Sequence, residues 1–200
     1  MKKITGYFSA LEVALLAFSV LLILISFFAF DRENYLTLLA SVIGVTSLIF
    51  SAKGNPVGQV LMIAFSLLYG IISFNFAYYG EMITYLGMTM PMAVLALISW
   101  LKNPYKGNKS EVKINSIVKE ECAFMWIISA VVTVIFYFIL DYFETANILP
   151  STLSVTTSFI AVYLTFRRSP FFALAYAAND IILIIVEFLY DLFINNNKVS

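Results

Sequence analysis

The sequence has no histidine, one cysteine and few charges. Only 12% of its 200 residues are charged, against about 25% in average soluble domains. The lack of histidine excludes a histidine-based triad, histidine-ligated haem and HExxH zinc chemistry. The lone Cys122 excludes an internal disulfide and a CxxC site. The formal net charge is zero, so no basic footprint for nucleic acid is present. We therefore expect no cofactor, no metal and no nucleic-acid partner.

Apolar residues are abundant instead. They make up 62% of the chain, and the mean hydropathy is +0.92. Seven apolar runs of about 17–24 residues fill most of the sequence, and a helix needs about 20 such residues to cross the hydrocarbon core. The sequence thus predicts an all-α, polytopic membrane protein with seven transmembrane helices. The runs are Phe8–Phe30, Tyr35–Ser51, Pro56–Tyr79, Met82–Trp100, Cys122–Leu140, Ile148–Phe166 and Pro170–Tyr190.

The basic residues predict the orientation of these helices. With the N-terminus in the cytoplasm, ten of the twelve lysines and arginines fall on the inner side, and only Arg32 and Lys198 fall outside. Lysine and arginine concentrate in cytoplasmic loops of membrane proteins. The long connection from Lys102 to Glu121 carries five lysines and is predicted to be a solvated cytoplasmic linker. We expect a bacterial cytoplasmic (inner) membrane protein whose N-terminus is cytoplasmic.

Two matching segments predict an internal repeat. Phe50–Val57 and Leu164–Phe171 each contain a basic turn followed by proline, at an offset of 114 residues. This spacing fits a 3+1+3 parallel, SWEET-like repeat, with a linking helix between two three-helix units. The partner of Met82–Trp100 would begin near residue 196, so either the second unit lacks its last helix or the sequence stops before that helix. The predicted divisions are an extra N-terminal helix (1–34), the first repeat (35–101), the linker and linking helix (102–143), and an incomplete second repeat (144–200).

Several motifs resemble those of the PnuC family of bacterial vitamin transporters. The resemblance runs from about Tyr35 to Tyr190 and is carried by the motifs Tyr79-Gly80-Glu81, Met90-Pro91-Met92 with Trp100, Thr152-Leu153-Ser154-Val155, Arg167-Arg168 and Asn179-Asp180-Ile181-Ile182-Leu183. It implies a 3+1+3 helix core, a homotrimer, and facilitated diffusion of nicotinamide riboside. Cytoplasmic phosphorylation of the vitamin would make that diffusion one-way.

The chain departs from the family pattern at three positions, which leaves the solute open. A family tryptophan pair falls on Phe172 and Ala175, and a family glutamine falls on Ala93. Relatives that handle thiamine, riboflavin or deoxynucleosides share the scaffold. A non-transporting membrane subunit or sensor is a second class of function. An intramembrane enzyme is a third class, but the membrane carboxylates are few and lie mainly on one helix, so we predict no catalytic residues.

Asn179 and Asp180 are the leading polar candidates for a solute site. They lie near the middle of a predicted span, where an ionisable side chain is by default functional. They could hydrogen-bond ribose hydroxyls or an amide of the solute. Glu187 follows seven residues later on nearly the same helix face and could attract a cationic solute at the outer mouth. The alternatives are a helix–helix contact for Asp180 and snorkelling to the interface for Glu187.

Aromatic residues supply the other candidates. Phe65, Tyr69, Tyr85 and Phe172 could stack on a planar heterocycle, since an aromatic face over a cationic ring contributes about 0.5–2 kcal/mol. Trp100 lies at the inner end of its run, where an anchor in the membrane interface is expected. Pro91 should free a carbonyl and bend the helix that carries Tyr85.

The charge bias makes a test of orientation possible. In a Cys122→Ala background, a cysteine introduced by Lys109→Cys should resist a membrane-impermeant maleimide in intact cells and react after lysis, because the linker is predicted to be cytoplasmic. Rapid labelling of intact cells would reverse the orientation.

Overall fold

The chain folds into a bundle of helices with one small hairpin. The computed structural model describes residues 7–30, 32–145 and 148–197, apart from the side chains of Leu183 and residues 186–197. The helices are α1 (Ala10–Phe30), α2 (Tyr35–Ala52), α3 (Val57–Asn75), α4 (Tyr79–Ile83), a π-helix (Thr84–Thr89), α5 (Met90–Lys102), α6 (Lys119–Tyr142), α7 (Ile148–Phe166) and α8 (Phe172–Asn197).

Membrane-spanning helices account for most of this bundle. Within the described residues, six helices are long and apolar enough to cross a membrane, the α4–π–α5 stretch Tyr79–Lys102 counting as one. Helix α8 adds a shorter apolar stretch over Phe172–Ile182. The prediction of a helical polytopic membrane protein is confirmed, whereas a seventh span and the parallel repeat stay predictions.

Small residues set the closest helix contact. Ser47 on α2 donates a hydrogen bond to the carbonyl of Gly58 on α3 at 2.9 Å. A Cβ added at Gly58 would lie 2.4 Å from Ser51 Oγ and 2.9 Å from the Ser47 carbonyl oxygen. In a membrane, helices associate largely by such close packing, because lipid tails are as apolar as leucine. The first two helices of the predicted first repeat therefore depend on glycine at this position.

The buried apolar core lies mainly between α6 and α7. Each membrane helix has one face toward lipid and one face toward protein. The large side chains on the inward faces of α6 and α7 pack against each other. The core comprises Met88, Met125, Phe136, Leu140, Val155, Phe159, Val162, Tyr163 and Leu164.

The span that carries Tyr85 is irregular because of Pro91. Proline has no N–H, so it removes one helical hydrogen bond inside the span. The six residues just before Met90 adopt a π-helix, a conformation found mostly near functional sites. The Thr89 hydroxyl donates to the carbonyl of Thr84 at 3.3 Å within this segment. The structure thus shows a change in helix type just before Pro91, whereas the bend stays a prediction.

The linker between α5 and α6 is more ordered than the solvated segment that its composition predicts. It forms an antiparallel hairpin of β1 (Pro104–Tyr105) and β2 (Asn108–Val112). The Val112 N–H then donates to the Gly54 carbonyl at 2.9 Å, and the Asn115 N–H donates to the Arg168 carbonyl at 3.1 Å. The linker therefore joins the α2–α3 turn to the α7–α8 turn.

These two turns have the same local structure 114 residues apart. Gly54 and Arg168 both have a left-handed backbone, with φ of +65° and +57°. The N–H of the next residue bonds five residues back in each turn, from Asn55 to Phe50 and from Ser169 to Leu164. The side chains of Asn55 and Ser169 each accept the N–H of the residue two positions on. A proline follows in both cases.

The α2–α3 contact gives a stability prediction. Gly58→Ala should destabilise the protein by about 1–3 kcal/mol, because the added methyl meets backbone atoms that cannot move aside. Thermal unfolding of the detergent-purified protein measures this loss. Gly87→Ala is the matched control, since the nearest atom to its added Cβ is 3.6 Å away. Equal melting temperatures for the two variants would contradict the close approach.

Candidate functional site

Three predicted aromatic residues form one cluster between α3 and the π-helix. The ring centroids of Tyr69 and Tyr85 are 4.3 Å apart, those of Phe65 and Tyr85 5.8 Å, and those of Phe65 and Tyr69 5.6 Å. Phe65 and Tyr69 share a face of α3 because they are four residues apart. Gly70 allows the approach, since a Cβ there would lie 2.5 Å from the Leu86 side chain.

Two carboxylates flank this aromatic cluster. Glu81 lies close enough to Tyr69 to act on its hydroxyl electrostatically. Both Glu81 and Asp180 lie close enough to Tyr85 to act on its hydroxyl electrostatically. The cluster therefore presents π faces within a negative local field. Such a site favours a planar group that carries positive charge.

Asn179 is held by hydroxyl groups of the neighbouring helix. It is 7% exposed, and its Oδ1 accepts hydrogen bonds from Thr157 Oγ1 and, at 3.3 Å, from Ser158 Oγ. Two hydroxyls of the predicted polar stretch on α7 thus orient the amide. With the oxygen engaged in this way, the NH₂ group is what Asn179 can offer to a bound molecule.

Asp180 is exposed although it lies near the middle of its predicted membrane span. It follows the first residue of α8 by eight positions, about 12 Å along the axis. A carboxylate at that depth must face protein or water rather than lipid. Its electrostatic neighbours are Tyr85 on the π-helix and Tyr176 on its own helix.

The remaining predicted residues lie elsewhere. Phe172 packs against Trp100, with ring centroids 6.4 Å apart, at the end of the bundle that carries the linker. The side chain of Glu187 lies outside the described residues. The expectation that Trp100 anchors the membrane interface is wrong, because the indole is 1% exposed. Its Nε1–H donates to the Thr165 carbonyl at 2.9 Å, so it joins α5 to α7 instead.

Further contacts hold together the same end of the bundle, where the linker lies. Arg168 Nη1 donates to Ser99 Oγ at 3.3 Å, and Arg167 forms an ion pair with Glu121. Burial, with a smaller effect from the charge of Arg167, lowers the pKa of Arg168. A guanidinium whose usual pKa exceeds 12 still keeps its charge at neutral pH. The basic turn after α7 is thereby fixed to α5 and α6.

Sequence reasoning missed several residues that border this region. Glu81 belongs to the quoted Tyr-Gly-Glu motif, but the sequence predicts no site role for it. Gln59 and Tyr176 carry polar groups inside apolar runs, which is the signal that could have identified them. As for metals, the described ranges contain no group of three or more histidine, cysteine, aspartate or glutamate side chains that could hold an ion.

Comparisons with known proteins agree with the geometry. The family described as nicotinamide mononucleotide transporter matches residues 34–195. A nicotinamide riboside transporter PnuC from Neisseria mucosa is 27% identical over 86 residues, which are 43% of this chain and 33% of that protein. The chain thus matches about a third of the length of that curated relative.

A solved structure has the same fold. The crystal structure of the vitamin B3 transporter PnuC superposes with a TM-score of 0.74 at 21% identity, covering 90% of this chain and 77% of that one. The family resemblance inferred from the motifs is confirmed. The family match extends over most of the chain, and the chain therefore belongs to the nicotinamide mononucleotide transporter family.

Proposed function

We propose that this protein is a membrane transporter that carries a planar, cationic vitamin into the cytoplasm by facilitated diffusion. Nicotinamide riboside is the first choice, and a related vitamin or nucleoside is the alternative. The observation that supports this most is the aromatic cluster flanked by Glu81 and Asp180. The family match and the name of the Neisseria relative support the same substrate class.

Two parts of the proposed site bind two different parts of the solute. The pyridinium ring stacks on Phe65, Tyr69 and Tyr85, where its charge gains from the ring faces and the carboxylates. The ribose hydroxyls or the carboxamide bond Asn179 and Asp180 across the interface. Phe172 contributes to the inner end of the path, and Glu187 adds negative charge at the outer mouth.

The proposal includes the orientation and the repeat. The linker bonds both the α2–α3 turn and the α7–α8 turn, so Lys53, the linker lysines and the two arginines share one side of the bundle. The positive-inside rule makes that side cytoplasmic. The equivalent turns at Gly54 and Arg168 support seven spans arranged as a parallel 3+1+3 repeat with an extra N-terminal helix, divided at residues 34, 101 and 143. Residence in the bacterial inner membrane and assembly as a homotrimer follow the family resemblance.

The aromatic cluster gives the first test. Phe65→Leu or Tyr85→Leu should weaken nicotinamide riboside binding by about 1–3 kcal/mol, the range of base–aromatic stacking. Isothermal titration calorimetry on purified protein measures this. Phe74→Leu is the control, since Phe74 is an exposed ring on the same helix. Unchanged affinity in both cluster variants would make these rings packing residues.

Asn179 and Asp180 give the second test. Asn179→Ala should lower affinity about 5- to 150-fold, since a lost buried hydrogen-bond partner costs about 1–3 kcal/mol. Asp180→Asn keeps the shape and removes the charge. It should therefore weaken the binding of cationic nicotinamide riboside more than that of a neutral nucleoside.

A purely structural role predicts a different result. If the two residues serve only helix packing, both variants would shift the melting temperature and leave the dissociation constant unchanged. Uptake by proteoliposomes of the intact chain separates a transporter from a non-transporting subunit, since the latter binds without accumulation.

A further inference from the structure

A groove lies between α1 and α2, apart from the aromatic cluster and from the second half of the bundle. Its volume is about 200 Å³. Its lining runs from Ile23 to Ser41, and so comes from the second half of α1, the connection after it and the first half of α2. In the described part of the chain no third helix contributes to this lining. Lipid can therefore reach the groove from the side.

Helix α1 is held to the bundle near its two ends. Near its start, Glu12 forms an ion pair with Lys53 at 3.0 Å. Toward its end, the ring centroids of Phe27 and Tyr35 are 5.3 Å apart, and Phe27 is the buried residue of this helix. The groove lies beside this second contact, where the side chains of α1 and α2 leave space between them.

Three hydroxyl side chains line the groove, Ser26 on α1 and Thr37 and Ser41 on α2. Among the residues that the structure describes, none of the three has a hydrogen-bond partner. Thr46 farther along α2, by contrast, donates to the Val42 carbonyl of its own helix at 2.7 Å. The groove hydroxyls are therefore available to a bound molecule that offers acceptor oxygens.

These hydroxyls lie close to the level at which hydrocarbon meets the polar layer of a bilayer. Helix α1 has 21 residues and is about 31 Å long, which matches a hydrocarbon core of about 30 Å. Thr37 and Ser41 lie about 3 and 9 Å from Tyr35, the first residue of α2, along the helix axis. A glycerophospholipid carries its ester oxygens at this boundary and its acyl chains below it.

The apolar part of the lining suits an acyl chain. It consists of Ile23, Phe27, Phe30 and Leu38. An apolar cavity of about 150 Å³ binds a molecule as large as benzene, so a groove of 200 Å³ admits the ester group and the first part of one acyl chain. Acceptor oxygens next to a hydrocarbon chain are what the three hydroxyls and this apolar wall fit together.

The connection between α1 and α2 carries charges of both signs at the mouth of the groove. Arg32 and Glu33 are both exposed. Arg32 Nε donates to the Phe28 carbonyl at 2.6 Å, which holds the guanidinium at the end of α1. A guanidinium binds phosphate through two parallel hydrogen bonds, and a carboxylate pairs with an ammonium group.

The balance of these charges selects a headgroup. In the sequence Asp31-Arg32-Glu33, two acidic residues flank one basic residue. A headgroup with phosphate alone would meet like charge on both sides of Arg32. A zwitterionic headgroup that carries phosphate and ammonium offers a partner to Arg32 and to Glu33.

We propose that the groove between α1 and α2 is a binding site for a phosphatidylethanolamine lipid. The hydroxyls of Ser26, Thr37 and Ser41 donate to its ester carbonyls. Arg32 binds its phosphate, and Glu33 binds its ammonium group. The lipid joins α1 to α2 at the end of the bundle opposite the linker, which the proposed orientation places in the outer leaflet. This site depends on residence in a membrane and not on the identity of the solute.

Lipid binding to the delipidated, detergent-purified protein tests the site. Native mass spectrometry with dioleoylphosphatidylethanolamine as the probe gives the number of bound lipids and an apparent dissociation constant. Arg32→Gln should weaken binding at least about 10-fold, the effect of one lost hydrogen bond to a charged group. Thr37→Val combined with Ser41→Ala should weaken it about 10-fold, since two hydroxyl donors are lost. Unchanged dissociation constants in both variants would refute the site.

Two variants elsewhere serve as matched controls. Lys109→Gln removes an exposed cation from the hairpin at the opposite end of the bundle, and Thr46→Val removes a hydroxyl of α2 that bonds its own helix. Both should bind the lipid as the original protein does. If Lys109→Gln weakens binding as much as Arg32→Gln, the lipid is held by general charge attraction and the groove is not its site.

A variant that fills the groove gives an independent test. Ser41→Leu places a branched apolar side chain in the space of the lipid, so it should abolish the rise in melting temperature that the lipid gives to the original protein. Persistent lipid binding by Ser41→Leu would place the lipid elsewhere and refute the proposal. If Ser41→Leu does not fold, Arg32→Gln decides alone, and unchanged binding by that variant refutes the site.

Two further outcomes would also overturn the assignment. Equal affinity for dioleoylphosphatidylglycerol would contradict the zwitterionic headgroup. If Ser41→Leu breaks up an oligomer of this chain and leaves lipid binding unchanged, a second copy of the chain covers the groove instead of lipid.

Discussion

Hydrocarbon offers no hydrogen-bond partner, so every polar group within a span must find one inside the protein. Most hydroxyls here meet this constraint locally: Thr46, Ser66, Ser129 and Thr152 each donate to a carbonyl four residues back in their own helix. Gln59 and Asn179 reach instead to neighbouring helices. Gln59 donates to Ser51 on α2 and Asn179 accepts from Thr157 on α7, so the constraint makes these amides ties between neighbouring helices.

The end of the bundle that carries the linker is held by contacts distant in sequence. Trp100 and Ser99 on α5 bond the end of α7 and the turn after it, and the linker bonds the Gly54 and Arg168 carbonyls. Near the opposite end, Gly80 on α4 packs on Thr145 and on Leu140 of α6. Any separation of α5 from α7 at the linker end must break the Trp100 hydrogen bond.

The sequence could predict features that depend on residues close together in the chain, but not those that depend on distant partners. Helices and the aromatic pair Phe65 and Tyr69 follow from local periodicity and spacing. The likeness of the turns at Gly54 and Arg168 was visible in their basic residues and prolines. The burial of Trp100 could not be read locally, because its partner is the Thr165 carbonyl, 65 residues away. An indole near the end of an apolar run is typical of an interface anchor, and only the packing of α5 on α7 overrides that expectation.

Electrostatics also bears on the choice between a riboside and a mononucleotide. A mononucleotide carries a phosphate, which proteins bind with arginine, lysine or helix N-termini. In the described part of this chain every lysine and arginine lies at a helix end or in a connection, whereas Glu81 and Asp180 act on Tyr85 at the aromatic cluster. A phosphate beside these carboxylates would meet like charge in a medium that screens poorly. A riboside brings a cationic ring and no phosphate. The charges around the cluster therefore favour the riboside, and the same argument explains why replacing Asp180 should affect cationic solutes most.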